Sequence, residues 1–228
     1  MKPHLVTTLL VLAQIGRERG RIVLTTRDLA RKLSISQQTS SRYLVELERR
    51  GLIVRGRARR GEEITITSQG FKELSPLYLS LKKIFEPPLK EMVLTGEVVS
   101  GLGEGAYYVS KPEYKRQFTE KLGFTPFPGT LNVRLRERGQ RDRILLDLFE
   151  PIMIEGFDNG ERSFGQVKCY RALLNDTTRC VVVTALRTHY REDILEVIAE
   201  PNLRKSLGLK DGDRVTVKIA RGSPSPAV

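Results

Sequence analysis

Apolar residues in the first third of the chain recur with the period of a helix, whereas those beyond Pro87-Pro88 come in short runs broken by glycine and charge. Leu5, Val6, Leu9, Leu10, Leu12 and Ile15 predict one amphipathic helix, ended by the stretch Gly16 to Gly20. Thr25-Thr26-Arg27-Asp28 offers a Thr cap and a first-turn acid to a second helix, with Leu29, Ala30 and Leu33 on one face. After the turn Ser34-Ile35-Ser36, Ser36 caps a third helix from Gln37 to Arg50, which Gly51 closes. On that helix Ser40, Leu44 and Leu47 share the buried side, while Gln38, Arg42, Val45 and Arg49 face outward. Leu52 to Arg55 and Glu63 to Thr67 predict two paired strands joined by an Arg-rich tip, Gly56 to Gly61. Gly70 to Phe85 continues as an amphipathic helix that can pack on the first helix or serve a dimer, and Pro87-Pro88 stops it.

Beyond the double proline the short runs are Met92 to Ser100, Leu131 to Leu135, Ile152 to Glu155, Gln166 to Leu173, Cys180 to Leu186 and Arg214 to Ile219. Their density predicts a compact barrel. Tyr114 to Leu122 reads as a helix, Arg141 to Leu148 as a helical turn, Asp193 to Glu200 as a helix, and Pro201 to Ser206 as a loop. The expected fold is α+β in two domains, 1–88 and 89–220, followed by a Ser/Pro-rich tail, 221–228, expected to be disordered.

Charge separates the two halves. Through residue 90 there are 18 basic and 8 acidic residues; the remainder holds 21 and 19. Nearly all of the net charge of +12 therefore sits on the helical half, the one suited to a polyanion. Two helices joined by three residues and followed by a basic hairpin form a winged helix-turn-helix pattern, which resembles MarR-like prokaryotic regulators. The resemblance implies contact with double-stranded DNA. Gln37, Gln38, Thr39, Ser41 and Arg42 would reach base edges or phosphates, and Arg57, Arg59 and Arg60 would hold backbone or minor groove. A homodimer is expected because such regulators read two half-sites. No apolar run is long enough to span a membrane, the N-terminus lacks the pattern of a signal peptide, and a cytoplasmic protein is expected. Cys169 and Cys180 read as buried thiols.

The chemistry concentrates between Gly101 and Val133. Gly101, Gly103 and Gly105 can adopt positive φ and turn amides toward an anion, although alone they fit a flexible hairpin equally well. No Gly-Lys-Ser/Thr follows, so this is not a P-loop, and the spacing is not that of a dinucleotide fingerprint. Pro128-Gly129-Thr130-Leu131-Asn132-Val133 leaves a turn and enters a strand. Thr130 and Asn132 then point to one side, where two neutral oxygens suit a hard cation that bridges phosphates.

Gly101-Leu102-Gly103-Glu104-Gly105, Pro128 to Val133, Arg187-Thr188-His189-Tyr190, and Glu196-Val197-Ile198-Ala199 followed by Leu203-Arg204 occur in one order across residues 89–220. In these pieces the chain resembles the archaeal CTP-dependent riboflavin kinase family, including members that carry a winged helix ahead of the kinase. The resemblance implies a six-stranded, cradle-loop-like β-barrel that converts riboflavin and CTP to FMN and CDP with Mg²⁺. It implies that Gly101, Leu102, Gly103, Glu104, Gly105 and Ala106 hold the nucleotide at the mouth of the barrel, with Pro201, Asn202, Leu203 and Arg204 as a second wall. Thr130 and Asn132 would ligate the metal, and Thr188 and Glu196 would contact the flavin. Glu196 is the candidate base by its charge, and a flavin contact explains it equally well. His189 beside Tyr190, and Tyr107 and Tyr108, fit packing as readily as a ligand. The rival expectation is a regulator without catalysis whose barrel senses riboflavin or FMN.

Overall fold

Every helical period in the first third of the chain becomes a helix in the computed structural model, which describes residues 1–19, 22–101, 103–136, 139, 142–160, 162–185 and 193–221. By internal contacts the chain divides into two units, Met1–Glu86 and Pro87–Val228. The first contains α1 (Pro3–Arg19), β1 (Ile22–Leu24), α2 (Thr26–Leu33), α3 (Gln37–Arg49), β2 (Ile53–Arg57), β3 (Glu62–Ile66) and α4 (Ser68–Phe85). Leu5, Leu9 and Leu12 of α1 meet Leu29, Leu44 and Leu47 in one fully buried core. The caps are those the side chains offer. Thr25 Oγ1 accepts the Asp28 amide while Asp28 accepts the Thr25 amide, each at 3.2 Å. Ser36 Oγ accepts the Thr39 amide at 3.1 Å. Strand β1 is not anticipated by the sequence pattern, because three residues are too few to show alternation; it adds to the hairpin in the order β1-β3-β2.

Helix α4 starts on a close contact. Gly70 is buried against the Leu52 carbonyl and the Ile66 side chain, and a Cβ would overlap both. Farther along, Phe71, Tyr78, Leu81, Ile84 and Phe85 are exposed.

The second unit runs β4 (Glu91–Val99), α5 (Glu104–Val109), α6 (Pro112–Leu122), β5 (Leu131–Leu135), a 3-10 turn (Arg143–Leu148), β6 (Ile152–Ile154), β7 (Phe157–Asp158), β8 (Ser163–Phe164), β9 (Val167–Leu174), β10 (Thr178–Ala185), β11 (Ile194–Ile198), α7 (Leu203–Leu207) and β12 (Arg214–Ala220). Strands pair in the order β10-β11-β5-β4-β12-β9, and β9 pairs back to β10, which closes a six-stranded antiparallel barrel with β6 on its flank.

Two expectations are corrected here. Asp193 to Glu200 holds a strand, β11, not a helix. Ile194, Leu195, Val197 and Ile198 suit either period over so short a run, and the barrel decides, because β11 pairs with β10 on one side and β5 on the other. Pro201 to Ser206 is not all loop: Asn202 Oδ1 accepts the Lys205 amide at 3.1 Å and starts α7.

Alternation along the strands gives the wall two faces. Leu131, Val133, Val182, Leu195, Val197 and Val217 fill the barrel interior. Val181, Val183 and Ile198 point outward, where Val109 and residues of α6 (Tyr114, Phe118 and Leu122) cover them in a second cluster. Cys180 lies in the first cluster and Cys169 in the second, and burial pushes both thiols up to about 12, so they pack and do not react.

In an exposed helix Gly→Ala stabilises, but Gly70→Ala places its methyl against Leu52 and Ile66. It is expected to lower the unfolding free energy of the first unit by about 1–3 kcal/mol in urea titration; a gain in stability contradicts the contact.

Candidate active site

Register sets the site. Val99, the last residue of β4, lies opposite Asn132 of β5, so the chain leaving β4 must run over the outward face of β5. There Gly101 lies on the Asn132 amide and Gly105 on the Thr130 side chain so closely that a Cβ at either position would overlap them. This corrects the conformational reason given for the glycines. Only Gly103 has positive φ, +83°, whereas Gly101 and Gly105 are glycine for lack of room. The segment is also not a loop throughout, since α5 begins at Glu104 with Gly103 as its N-cap. Leu102 and Thr188 lie outside the described residues, as does His189.

Thr130 Oγ1 donates to Asn132 Oδ1 across 3.2 Å. Magnesium holds oxygens at about 2.0–2.1 Å around an octahedron, which sets neighbouring oxygens about 2.9 Å apart. The pair fits two adjacent positions of such a shell and leaves the others to phosphate and water. Among the described residues no group of three His, Cys, Asp or Glu side chains could hold a metal by itself. A cation here would depend on a ligand that brings its own oxygens.

Glu196 of β11 is the cross-strand neighbour of Asn132 on one side and of Val183 on the other. Burial, with a further push from Glu104, raises its carboxyl above the usual range, while the Arg143 guanidinium opposes that shift. Arg143 is placed by the 3-10 turn and donates to the Ile194 carbonyl at 2.7 Å.

Gly105, Thr130 and Glu196 form the polar end of a cavity of about 150 Å³. Its remaining walls are mostly apolar: Tyr108, Val109, Phe164, Val167, Val183 and Ala185. The cavity therefore lies on the outside of the barrel wall, not in its mouth, because the interior is filled by the core. Its cover is tied down by Tyr114 Oη, which donates to the Gly165 carbonyl at 2.5 Å, and by the Phe157–Phe164 stack with ring centroids 4.5 Å apart. Arg162 at the rim donates to Tyr108 Oη at 2.8 Å. Tyr108 thus lines the cavity, while Tyr107 is exposed beneath the Lys111 ammonium at 3.9 Å.

The second expected wall is less open than the sequence implies. Leu203 is buried in the barrel core and Asn202 is committed to capping α7, which leaves Pro201 and Arg204 the freer to meet a ligand. Arg204 pairs with Asp211 at 2.7 Å. The structure also brings in Arg143, Arg162 and Asp211, which no motif marks, because each arrives from an element distant in sequence.

In the first unit, Gln38 and Arg42 stand exposed on α3, and Arg57, Arg59 and Arg60 on the hairpin. The other arginines of this stretch are partly neutralised. Arg49 and Arg50 both pair with Glu46, whose carboxyl they pull down to about 2, and Arg55 pairs with Glu62 and Glu48. Gln37 donates to Thr26 Oγ1, Thr39 shares a hydrogen bond with Ser36 Oγ, and Ser41 is half-buried.

Comparison with known proteins agrees with both units. The family model CTP-dep_RFKase, described as a domain of unknown function (DUF120), matches residues 98–219, and a model of the MarR family matches residues 5–62. A riboflavin kinase of Methanosarcina barkeri is 43% identical over 210 residues, covering 92% of this chain and 93% of the relative. One from Archaeoglobus fulgidus is 42% identical over 216 residues (95% and 92%), and one from Halobacterium salinarum 39% over 213 (92% and 91%).

Because Gly105→Ala displaces Thr130, it is expected to lower turnover by about 100-fold while leaving the circular dichroism spectrum intact. Full turnover in that variant contradicts the contact.

Proposed function

The chain belongs to the CTP-dependent riboflavin kinase family, carries a MarR-type winged helix ahead of the kinase domain, and phosphorylates riboflavin; from that premise we propose that the donor is CTP, the metal is Mg²⁺, and the acceptor is the 5′-hydroxyl, giving FMN and CDP. The observation that carries this reading is that the glycine segment lies on Thr130 and Asn132, while Gly105, Thr130 and Glu196, the cross-strand neighbour of Asn132, line one cavity.

The triphosphate lies along residues 101–106, where Gly103 leaves the backbone open and Gly101 and Gly105 keep it seated on Asn132 and Thr130. Thr130 Oγ1 and Asn132 Oδ1 hold the metal. When bound, that metal supplies positive charge to the phosphate oxygens between donor and acceptor. Pro201 and Arg204 bound the nucleotide from the other side. The flavin ring takes the apolar part of the cavity beside Tyr108, Phe164 and Val183, and Thr188 contacts the flavin. This orientation points the ribityl chain at the polar end. There Glu196 accepts the proton of the 5′-hydroxyl as the oxygen attacks the γ-phosphorus. A carboxyl already raised by burial is a better base near neutral pH than an exposed one. Phosphoryl transfer asks the protein mainly for position and charge, and these groups supply both.

Gln38, Arg42 and the wing arginines Arg57, Arg59 and Arg60 are the proposed DNA contacts, with Gln37, Thr39 and Ser41 at the start of α3 beside them. The exposed apolar residues of α4 are the proposed contact of a homodimer that reads two half-sites. The protein is proposed to act in the cytoplasm, coupling FMN formation to control of riboflavin genes.

Purified full-length protein with riboflavin and Mg²⁺ is expected to yield FMN from CTP and little from ATP by chromatography. Thr130→Ala and Asn132→Ala should each lose at least about 100-fold of that activity. Equal use of both nucleotides overturns the donor assignment, and full activity in both variants overturns the metal assignment. A base must be ionised, so kcat/KM should fall as pH drops through the raised Glu196 value. In Glu196→Gln that acid limb should vanish and kcat fall by about 100-fold; an unchanged profile removes Glu196 from proton transfer.

A further inference from the structure

Asp211 lies outside the cavity, in the turn between α7 and β12, yet its carboxylate reaches the residue just before the glycine segment and Arg204 of the second nucleotide wall. Oδ2 accepts the amide of Ser100 at 3.1 Å, the last backbone donor before Gly101. Oδ1 accepts Arg204 Nη1 at 2.7 Å. The turn carrying Asp211 is itself fixed. Gly212 donates to the Val98 carbonyl at 2.9 Å, Val98 donates to the Asp213 carbonyl at 2.8 Å, and Asp213 Oδ2 accepts the Lys210 amide at 2.7 Å. Residues 100, 204 and 211 meet only because β12 pairs with β4, Arg214 opposite Glu97.

Such a bridge contributes little to global stability. The Asp211 and Arg204 side chains are 52% and 32% exposed, and solvent screens an ion pair of that kind. Its effect is local. A glycine-rich segment loses more conformational freedom on ordering than any other, and a ligand that must order it binds more weakly by that cost. Anchoring the residue just before the segment lowers the cost. The same carboxylate fixes the guanidinium of a long, flexible side chain on the opposite wall. Hydrogen bonds from Ser100 first and Arg204 next hold the Asp211 carboxyl below its usual range, so it remains charged near neutral pH.

We propose that Asp211 is a positioning residue of the phosphoryl-donor site: one carboxylate ties the start of the glycine segment to Arg204 of α7 and holds the two nucleotide walls in register. The proposal rests on the assignment of those two segments to the nucleotide. It has no counterpart for the flavin, which lies beyond Thr130 and Glu196.

Steady-state kinetics of the full-length chain, with whichever of CTP and ATP it turns over, separates the possibilities. Asp211→Ala is expected to raise KM for the nucleotide about tenfold, the loss of a charge-assisted hydrogen bond, with KM for riboflavin and the urea midpoint unchanged. Asp211→Asn keeps an acceptor for Ser100 but loses the charge facing Arg204, and should fall between Ala and the parent. An unchanged nucleotide KM overturns the proposal, as does a parallel rise of both KM values with a lowered midpoint. Arg204→Ala distinguishes the two levels. If it raises the nucleotide KM and Asp211→Ala does not, positioning fails and the nucleotide assignment stands; if neither does, the assignment of α7 to the nucleotide fails as well.

Discussion

Two backbone positions without a Cβ, Gly101 and Gly105, allow the chain leaving β4 to lie directly on Asn132 and Thr130. The site depends on that approach. Any larger residue would lift the segment off β5, separating the main-chain amides from the two side-chain oxygens that sit 3.2 Å apart. The approach in turn requires the β4–β5 register, which sets Val99 against Asn132, and the β5–β11 register, which sets Asn132 against Glu196. Three neighbouring strands thus bring together groups of unlike chemistry.

The barrel wall serves stability on one face and chemistry on the other. Leu131, Val133, Leu195 and Val197 anchor β5 and β11 in a filled interior, while the alternate residues Asn132 and Glu196 face outward. Because those strands are buried on the core side, the wall fixes where their outward side chains start, and the Thr130 hydrogen bond orients Asn132 further. The cover, made of α5, α6 and the β7–β8 hairpin, then removes water from the outer face and lifts the Glu196 carboxyl. A pocket on the outside of a packed barrel needs such a cover, and the ring stack of Phe157 on Phe164 and the Tyr114 bond to Gly165 hold it.

Sequence pattern discloses the first unit well because its signals are local: the cap at Thr25, the cap at Ser36, and the buried triad Ser40, Leu44 and Leu47 all lie within one turn of their effect. In the second unit the strands are legible but their partners are not. Ile194 to Ile198 is too short to reveal its period, and only closure between β10 and β5 makes it a strand. Thr130 and Asn132 are visible as a pair two residues apart, yet the reason for Gly101 and Gly105 is not, since it lies about thirty residues away across a ladder. Arg143, Arg162 and Asp211 carry no local signal; each matters through a contact with a residue more than fifty positions distant. The arginine count of the winged helix misleads in the opposite direction, because Glu46, Glu48 and Glu62 neutralise part of it.

The most direct measurement of the central claim is the anomalous scattering of Mn²⁺ in a crystal of the full-length protein grown with a non-hydrolysable cytidine triphosphate. A single peak within about 2.3 Å of both Thr130 Oγ1 and Asn132 Oδ1, with the triphosphate lying along residues 101–106, is the predicted result. A peak elsewhere, with the Thr130–Asn132 hydrogen bond intact beneath an empty glycine segment, would contradict it.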